Sequence, residues 1–284
     1  MIFVVLTVLQ STLIFVTFRL FNNFRIDNWQ AITINYVVAT LFGFLIYPEP
    51  VNTSEILEKP WLLSSVLLGI FFISTFFVFA LSSQKVGVAL TSVASKMSVV
   101  IPVSFGVILY GESMGLLKIT GITAALVAFY LTFKKKEKQK VHAVYLLYPL
   151  LMFLGNGTND TIMKYAEHYL VRGDLILFLT MIFLFSLAIG VVIFIVRLIM
   201  GLSVIRLKNI LAGVLLGLLN FGSTYYILRA MGVYESSVVF PLVNTSIVML
   251  SALTGFFVFR EKLSTVNWAG ILLSIVAILI IANT

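Results

Sequence analysis

The sequence predicts an all-α polytopic membrane protein, with ten transmembrane helices arranged as two inverted five-helix repeats. Three observations lead there. Of 284 residues, 61% are hydrophobic and 11% charged, with a mean hydropathy of +1.11; a soluble domain carries about 25% charged residues. The apolar residues fall into ten runs separated by charges, Pro or Gly. One basic stretch, Lys134-Lys135-Lys136-Glu137-Lys138-Gln139-Lys140, divides those runs five and five. Such a composition excludes a water-soluble enzyme, a disordered chain and a nucleic-acid binder. The absence of cysteine removes disulfides, thiolate metal sites and cysteine catalysis.

In chain order the expected spans are 2–19, 29–47, 61–81, 87–109, 115–133, 143–164, 174–199, 207–229, 235–259 and 263–282. Backbone in lipid must satisfy its own hydrogen bonds, so long apolar runs read as helices, and the short alternating segments of a barrel are absent. Met1 leads into apolar sequence with no basic n-region or small-residue cleavage site, so span 1 reads as a retained helix and not a signal peptide. Pro60 suits the first turn of span 3, where its missing N–H costs nothing. Short connections make neighbouring spans antiparallel. The expected organisation is a first repeat at 1–133, a solvated basic linker at 134–142 and a second repeat at 143–284.

Weak internal similarity supports the repeats. Val66-Leu67-Leu68-Gly69 matches Val214-Leu215-Leu216-Gly217, Gly87-Val88 matches Gly232-Val233, and Glu112 matches Glu261. An odd number of spans per repeat turns the two halves upside down relative to each other, a common basis for alternating access. Gly213 and Gly217 form a small-x-x-x-small pattern, read as internal packing in preference to a dimer motif.

The basic residues suggest an orientation. Leaving out Lys96 and Lys118 inside spans 4 and 5, the side of the odd-to-even connections holds 13 Lys and Arg (the central five lysines with Arg19, Arg25, Lys85, Arg197, Arg206, Lys208, Arg260 and Lys262), against 4 on the other side (Lys59, Lys164, Arg172 and Arg229). The positive-inside rule places the richer side in the cytoplasm and both termini outside. The net charge of +8 then reflects loops that face anionic lipid.

Few side chains can carry chemistry. The chain holds 11 Asp and Glu and 2 His, with no metal-binding helix motif, no paired aspartates and no phosphate-binding loop. That inventory argues against an enzyme, a metal site or a cofactor. Span 6 carries the strongest constellation: Asn156, Asn159, Asp160 and Lys164 share one helix face. An ionised residue at mid-bilayer costs about 2.5–3.5 kcal/mol on insertion scales, so this face needs a polar cavity or a partner helix. Two readings stand for Asp160: an i,i+4 pair with Lys164 that closes the helix end, or a proton-coupling or substrate site. Glu235, at the start of span 9, is the reserve carboxylate.

Span 4 carries Ser92, Ser95 and Lys96 ahead of Pro102, and span 9 carries Pro241 ahead of Asn244. Interrupted helices at corresponding places of two repeats mark a transport site, where Lys96 would face an anionic substrate group; the alternative is a lysine that snorkels to the interface. Gln10 and Ser11 in span 1, and Asn220 and Thr224 in span 8, add milder polar faces. Asn35 in span 2 reads as a bond to a neighbouring helix.

Beyond these readings the chain resembles the drug/metabolite transporter superfamily, in particular its EamA-like ten-helix members. The resemblance covers essentially all residues. It rests on two five-span halves, on Tyr110-Gly111-Glu112 and Phe259-Arg260-Glu261-Lys262-Leu263-Ser264 after the fourth span of each, and on Gly121 and Gly270 in the spans that follow. The sequence departs from the family pattern at Ser113-Met114 and in lacking a glutamate before Pro102 and Pro241. The resemblance implies a central cavity, small organic solutes, usually exported, and cytoplasmic termini, opposite to the charge count. The expected function is therefore a secondary transporter of a small polar solute such as an amino acid. It would sit as a monomer or homodimer in a bacterial inner membrane, with protons as candidate coupling ions and lipid as its surroundings. A membrane structural or assembly protein without transport is the alternative.

Overall fold

The computed structural model describes residues 1–85, 94–133, 143–171, 173–258, 260 and 263–283. Ser92, the basic linker 134–142 and Glu261 lie outside the described residues. Among the described residues all regular structure is helical. Ten helices of eleven residues or more follow in order: α1 (Ile2–Asn23), α2 (Asn28–Ile46), α3 (Leu62–Lys85), α4 (Val100–Tyr110), α5 (Leu116–Phe133), α6 (Leu147–Tyr169), α7 (Leu175–Ile199), α8 (Leu207–Met231), α9 (Ser236–Phe257) and α10 (Thr265–Ala282). Among the described residues, five helical stretches are long and apolar enough to cross a membrane: α2, Leu62–Phe79 of α3, α7, α8 and α9.

Side-chain exposure agrees with a lipid solvent. Leu45 and Ile199 are 80% and 81% exposed, while Thr180, Ser186, Ser236 and Thr245 are fully buried. Water would penalise the first pattern, and hydrocarbon favours both.

Three helices depart from expectation. Span 9, expected to be interrupted at Pro241, runs unbroken through it as α9, because the proline stands in the second turn where few intrahelical bonds precede it. The other two depart for reasons seen in their contacts. Span 4 is broken: Ala94–Met97 is helical, Ser98 and Val99 turn, and α4 begins at Val100. Pro102 has no N–H for the Ser98 carbonyl, which instead accepts from the Ile101 amide at 2.9 Å. The Ser98 hydroxyl donates to the Ser95 carbonyl at 2.6 Å, the serine compensation expected beside a membrane proline. Span 6, expected to end at Lys164, continues to Tyr169. Lys164 is buried with its ammonium 6.0 Å from the Tyr110 ring centroid, so an aromatic face replaces the interface it was expected to reach.

The chain forms two compact units, Met1–Ile73 with Tyr165–Gly232 and Ser74–Lys164 with Val233–Thr284. In unit 1, α2 packs on α7 and α8, and α1 packs on α8. The Gly213/Gly217 pattern does seat α8 internally. A Cβ on Gly217 would stand 2.7 Å from the Asn35 carbonyl, so α2 and α8 touch backbone to backbone. The α2–α7 contact is reciprocal: Gly43 faces Thr180 and Gly190 faces Thr33, each member 147 positions from its counterpart. Trp61 and Phe178 meet edge to face at 5.8 Å beneath the Lys59–Asp174 ion pair (2.5 Å). Asp174 raises the Lys59 pKa by hydrogen bonding to its ammonium.

In unit 2, α5 pairs with α10, and α9 packs on α10, α5 and α4. The α5–α10 contact repeats the reciprocity, with Gly121 against Ile281 and Gly270 against Thr132, counterparts 149 positions apart. Ser264 and Asn267 form a capping box at the start of α10. The Asn267 amide also donates to the Thr132 carbonyl at 2.8 Å, which ties the start of α10 to the end of α5.

Candidate functional site

The polar cluster of unit 2 is assembled by the break in span 4. Because the helix stops at Ser98, Lys96 sits on a short helical piece whose neighbours are polar. Its ammonium donates to the Asn244 Oδ1 at 3.1 Å. Asn244 is buried in α9, three residues beyond Pro241. Ser95 accepts a hydrogen bond from the Asn156 Nδ2 of α6 at 2.7 Å. One helical turn along the same face lies Asp160, the charge that acts electrostatically on Lys96. Asn159 reaches α3, where its Nδ2 meets the Thr75 hydroxyl at 3.4 Å.

Small residues make this convergence sterically feasible. Gly155 and Gly157 flank Asn156; a Cβ on Gly155 would stand 2.6 Å from the Thr75 methyl, and one on Gly157 2.4 Å from the Ile101 side chain. Side chains at either position would push α6 away from α3 and α4 and pull Asn156 from Ser95. Two buried acceptors in the neighbourhood, Asn159 Oδ1 and Thr245 Oγ1, have no hydrogen-bond partner among the described residues.

Ser95, Lys96, Asn156, Asn159, Asp160 and Asn244 thus belong to one constellation. Asp160 lies about 14 Å of helix rise from Tyr169 and about 20 Å from Leu147, nearer mid-helix than the shorter span implied. Its electrostatic partner is Lys96, and Lys164 turns to Tyr110. Thr75 was missed in the sequence; a threonine inside an apolar run gives no periodic signal.

Gln10, Ser11, Asn220 and Thr224 belong to unit 1. There the Asn220 Nδ2 donates to Asn35 Oδ1 at 3.1 Å, the inter-helix bond expected of Asn35. The Thr224 hydroxyl bonds back to the Asn220 carbonyl at 2.9 Å. Gln10 packs its amide against Gly222, where a Cβ would stand 2.0 Å from Oε1. Ser11 is partly buried one position further along α1.

Glu235, the reserve carboxylate, is exposed at the N-cap of α9 and ion-pairs with the buried ammonium of Lys118. The more telling acid is Glu112 of the Gly111-Glu112 turn. Its Oε1 accepts from the Ser236 amide at 2.9 Å and the Ser236 hydroxyl at 2.6 Å, and its Oε2 accepts from the Ser237 amide at 2.9 Å. A carboxylate at a helix N-terminus receives both orphan N–H groups and the positive end of the dipole. Burial pushes the Glu112 pKa up, but the hydrogen bonds from Ser236 and Ser237 outweigh it, so the carboxyl sits below its ordinary value. The Gly-Glu turn therefore holds the helix that presents Asn244.

No protein-family model matches the chain. An uncharacterized protein of Haemophilus influenzae is 26% identical over 257 residues, covering 88% of this chain and 86% of that protein. A crystal structure of a protein with 13% sequence identity matches at a TM-score of 0.79, over 98% of this chain and 94% of the other. At that identity the likeness shows a shared fold.

Proposed function

We propose that this protein is a secondary transporter, resembling the EamA-like members of the drug/metabolite transporter superfamily, that moves a small polar organic solute by alternating access. The observation that carries the reading is the opposite charges of Lys96 and Asp160, placed among Ser95, Asn156 and Asn244 at a broken helix. Hydrocarbon would not tolerate such groups singly, and a buried charge pair is costly even when its members face each other. Support for ten spans in two inverted repeats comes from the reciprocal contacts of α2 with α7 and α5 with α10, which relate the two halves of the chain by shifts of 147 and 149 residues. In this reading Lys96 meets an anionic group on the solute and Asp160 meets a cationic group or a coupling proton. The solute leaves the cell by the inner membrane.

A thermal-shift screen of the purified protein with amino acids and related zwitterions would identify a ligand for counterflow in proteoliposomes. Lys96→Ala and Asp160→Asn should each slow counterflow by at least about thirtyfold, the effect of stranding one member of a buried charge pair. Full counterflow in both variants would reject the site. A non-transporting assembly protein would give no ligand-dependent shift and no flux.

A further inference from the structure

We propose that the α1–α2 and α7–α8 connections of unit 1 form a binding site for a phosphate group, carried either by an anionic lipid headgroup or by free phosphate. This does not depend on the transport reading. A pocket of about 210 Å³, open to solvent, is lined there by Arg25, Asp27, Ser203, Arg206 and Asn209 among others.

Its frame is fully wired. The Asp27 carboxylate accepts from the Trp29 amide at 3.0 Å and the Ser203 hydroxyl at 2.5 Å. The Asp27 amide donates to the Asn209 Oδ1 at 3.2 Å, and the Asn209 Nδ2 donates to Gln30 Oε1 at 2.6 Å. Lys208 donates to the Phe24 carbonyl at 2.8 Å at the same end. The frame's hydrogen bonds thus engage Asp27 with its neighbours. The two guanidinium groups are different: among the described residues neither the Arg25 nor the Arg206 guanidinium has a hydrogen-bond or ion-pair partner, Arg206 being bonded through its backbone alone. A planar five-donor fork is suited to phosphate oxygens, and two of them against the single Asp27 carboxylate leave the pocket a net positive charge.

The backbone adds an independent observation. Arg25 closes α1 in the left-handed region at φ 50°, a conformation that costs a residue with a Cβ and costs glycine nothing. At the position 148 residues later the chain uses Gly173, at φ 90°. The turn geometry alone would be served by glycine at both places. Arginine at position 25, like Arg260 at φ 54°, is thus kept against the local backbone preference, and at position 25 that residue borders the pocket. The pocket also lies on odd-to-even connections, the group that holds most of the Lys and Arg, where basic pockets between membrane helices meet anionic headgroups.

The test uses full-length protein in nanodiscs and follows thermal unfolding. Inorganic phosphate is titrated into phosphatidylcholine discs, and separately phosphatidylcholine discs are compared with discs containing phosphatidylglycerol. Stabilisation by phosphatidylglycerol alone identifies a lipid headgroup, and stabilisation by inorganic phosphate identifies the free anion. Either response should weaken about tenfold in apparent affinity in Arg206→Gln and in Arg25→Gly. Arg25→Gly relieves the left-handed backbone, so without ligand it should be at least as stable as the parent; a merely structural arginine would leave the ligand response intact. Arg229→Gln, an exposed arginine outside the pocket, should respond as the parent does. No stabilisation by either probe, or an equal loss in Arg229→Gln, would overturn the proposal.

Discussion

In unit 1 the buried amides close on one another: Asn220 bonds Asn35, and Asn209 bonds Gln30. In unit 2 the polarity includes a lysine and an aspartate: Lys96 donates to Asn244, Asn156 donates to Ser95, and Lys96 and Asp160 act on each other electrostatically. These amide-to-amide bonds carry no charge and lock helices together, with the Asn35 Nδ2 the one atom of the two pairs left buried and without a hydrogen-bond partner among the described residues. A buried lysine and aspartate are costly to keep. In the proposed transport reading, the difference separates polarity that holds a membrane bundle together from polarity that serves a ligand.

The comparison can be broken most sharply by removing both charges at once. A Lys96→Met, Asp160→Leu double variant should unfold at a temperature at or above that of the parent, because apolar residues of similar volume replace a desolvated pair. It should at the same time lose counterflow. A double variant that unfolds much earlier would make the pair structural, like the amides of unit 1.

A smaller effect is expected at the cap of α9. Glu112→Gln should lower stability by about 1 kcal/mol, measured by thermal unfolding in detergent. The folded carboxyl lies below its ordinary value of 4.5, so its stabilisation is complete above that value and is lost as pH falls through the lower folded value. The parent should therefore lose stability in acid along a limb that Glu112→Gln lacks. An identical acid limb in both would remove Glu112 from the cap.

The smallest effect sharpens the unit 1 side. A double-mutant cycle of Asn35→Leu and Asn220→Leu should give a coupling of about 0.6 kcal/mol, typical of hydrogen bonds between membrane helices. It should leave counterflow at the parental rate. Loss of flux in either single variant would extend the site into unit 1.

Much of this was legible in the chain. Hydropathy marked the helices because lipid leaves the backbone no other choice, and most ends fall within a few residues of expectation. Span 6 ran long because the cue for its end was Lys164, and a lysine that finds an aromatic face does not need the interface. The Asn156–Asp160 face was visible from spacing, and the disturbance at Pro102 from covalent chemistry. Which charge Asp160 would face was not visible, since i,i+4 proximity to Lys164 and tertiary proximity to Lys96 read alike in one dimension.

The sequence by itself determined that the protein is a helical bundle for lipid and which few polar groups it must bury. It did so through local rules of hydropathy, helical periodicity and proline chemistry. Only the tertiary structure decided their partners: Lys96 with Asn244, Asn156 with Ser95, Glu112 with the start of α9. Those pairings join residues 61 to 148 positions apart. They depend on how closely glycines such as Gly155 and Gly157 let helices approach, and that is a property of packed surfaces rather than of any one segment.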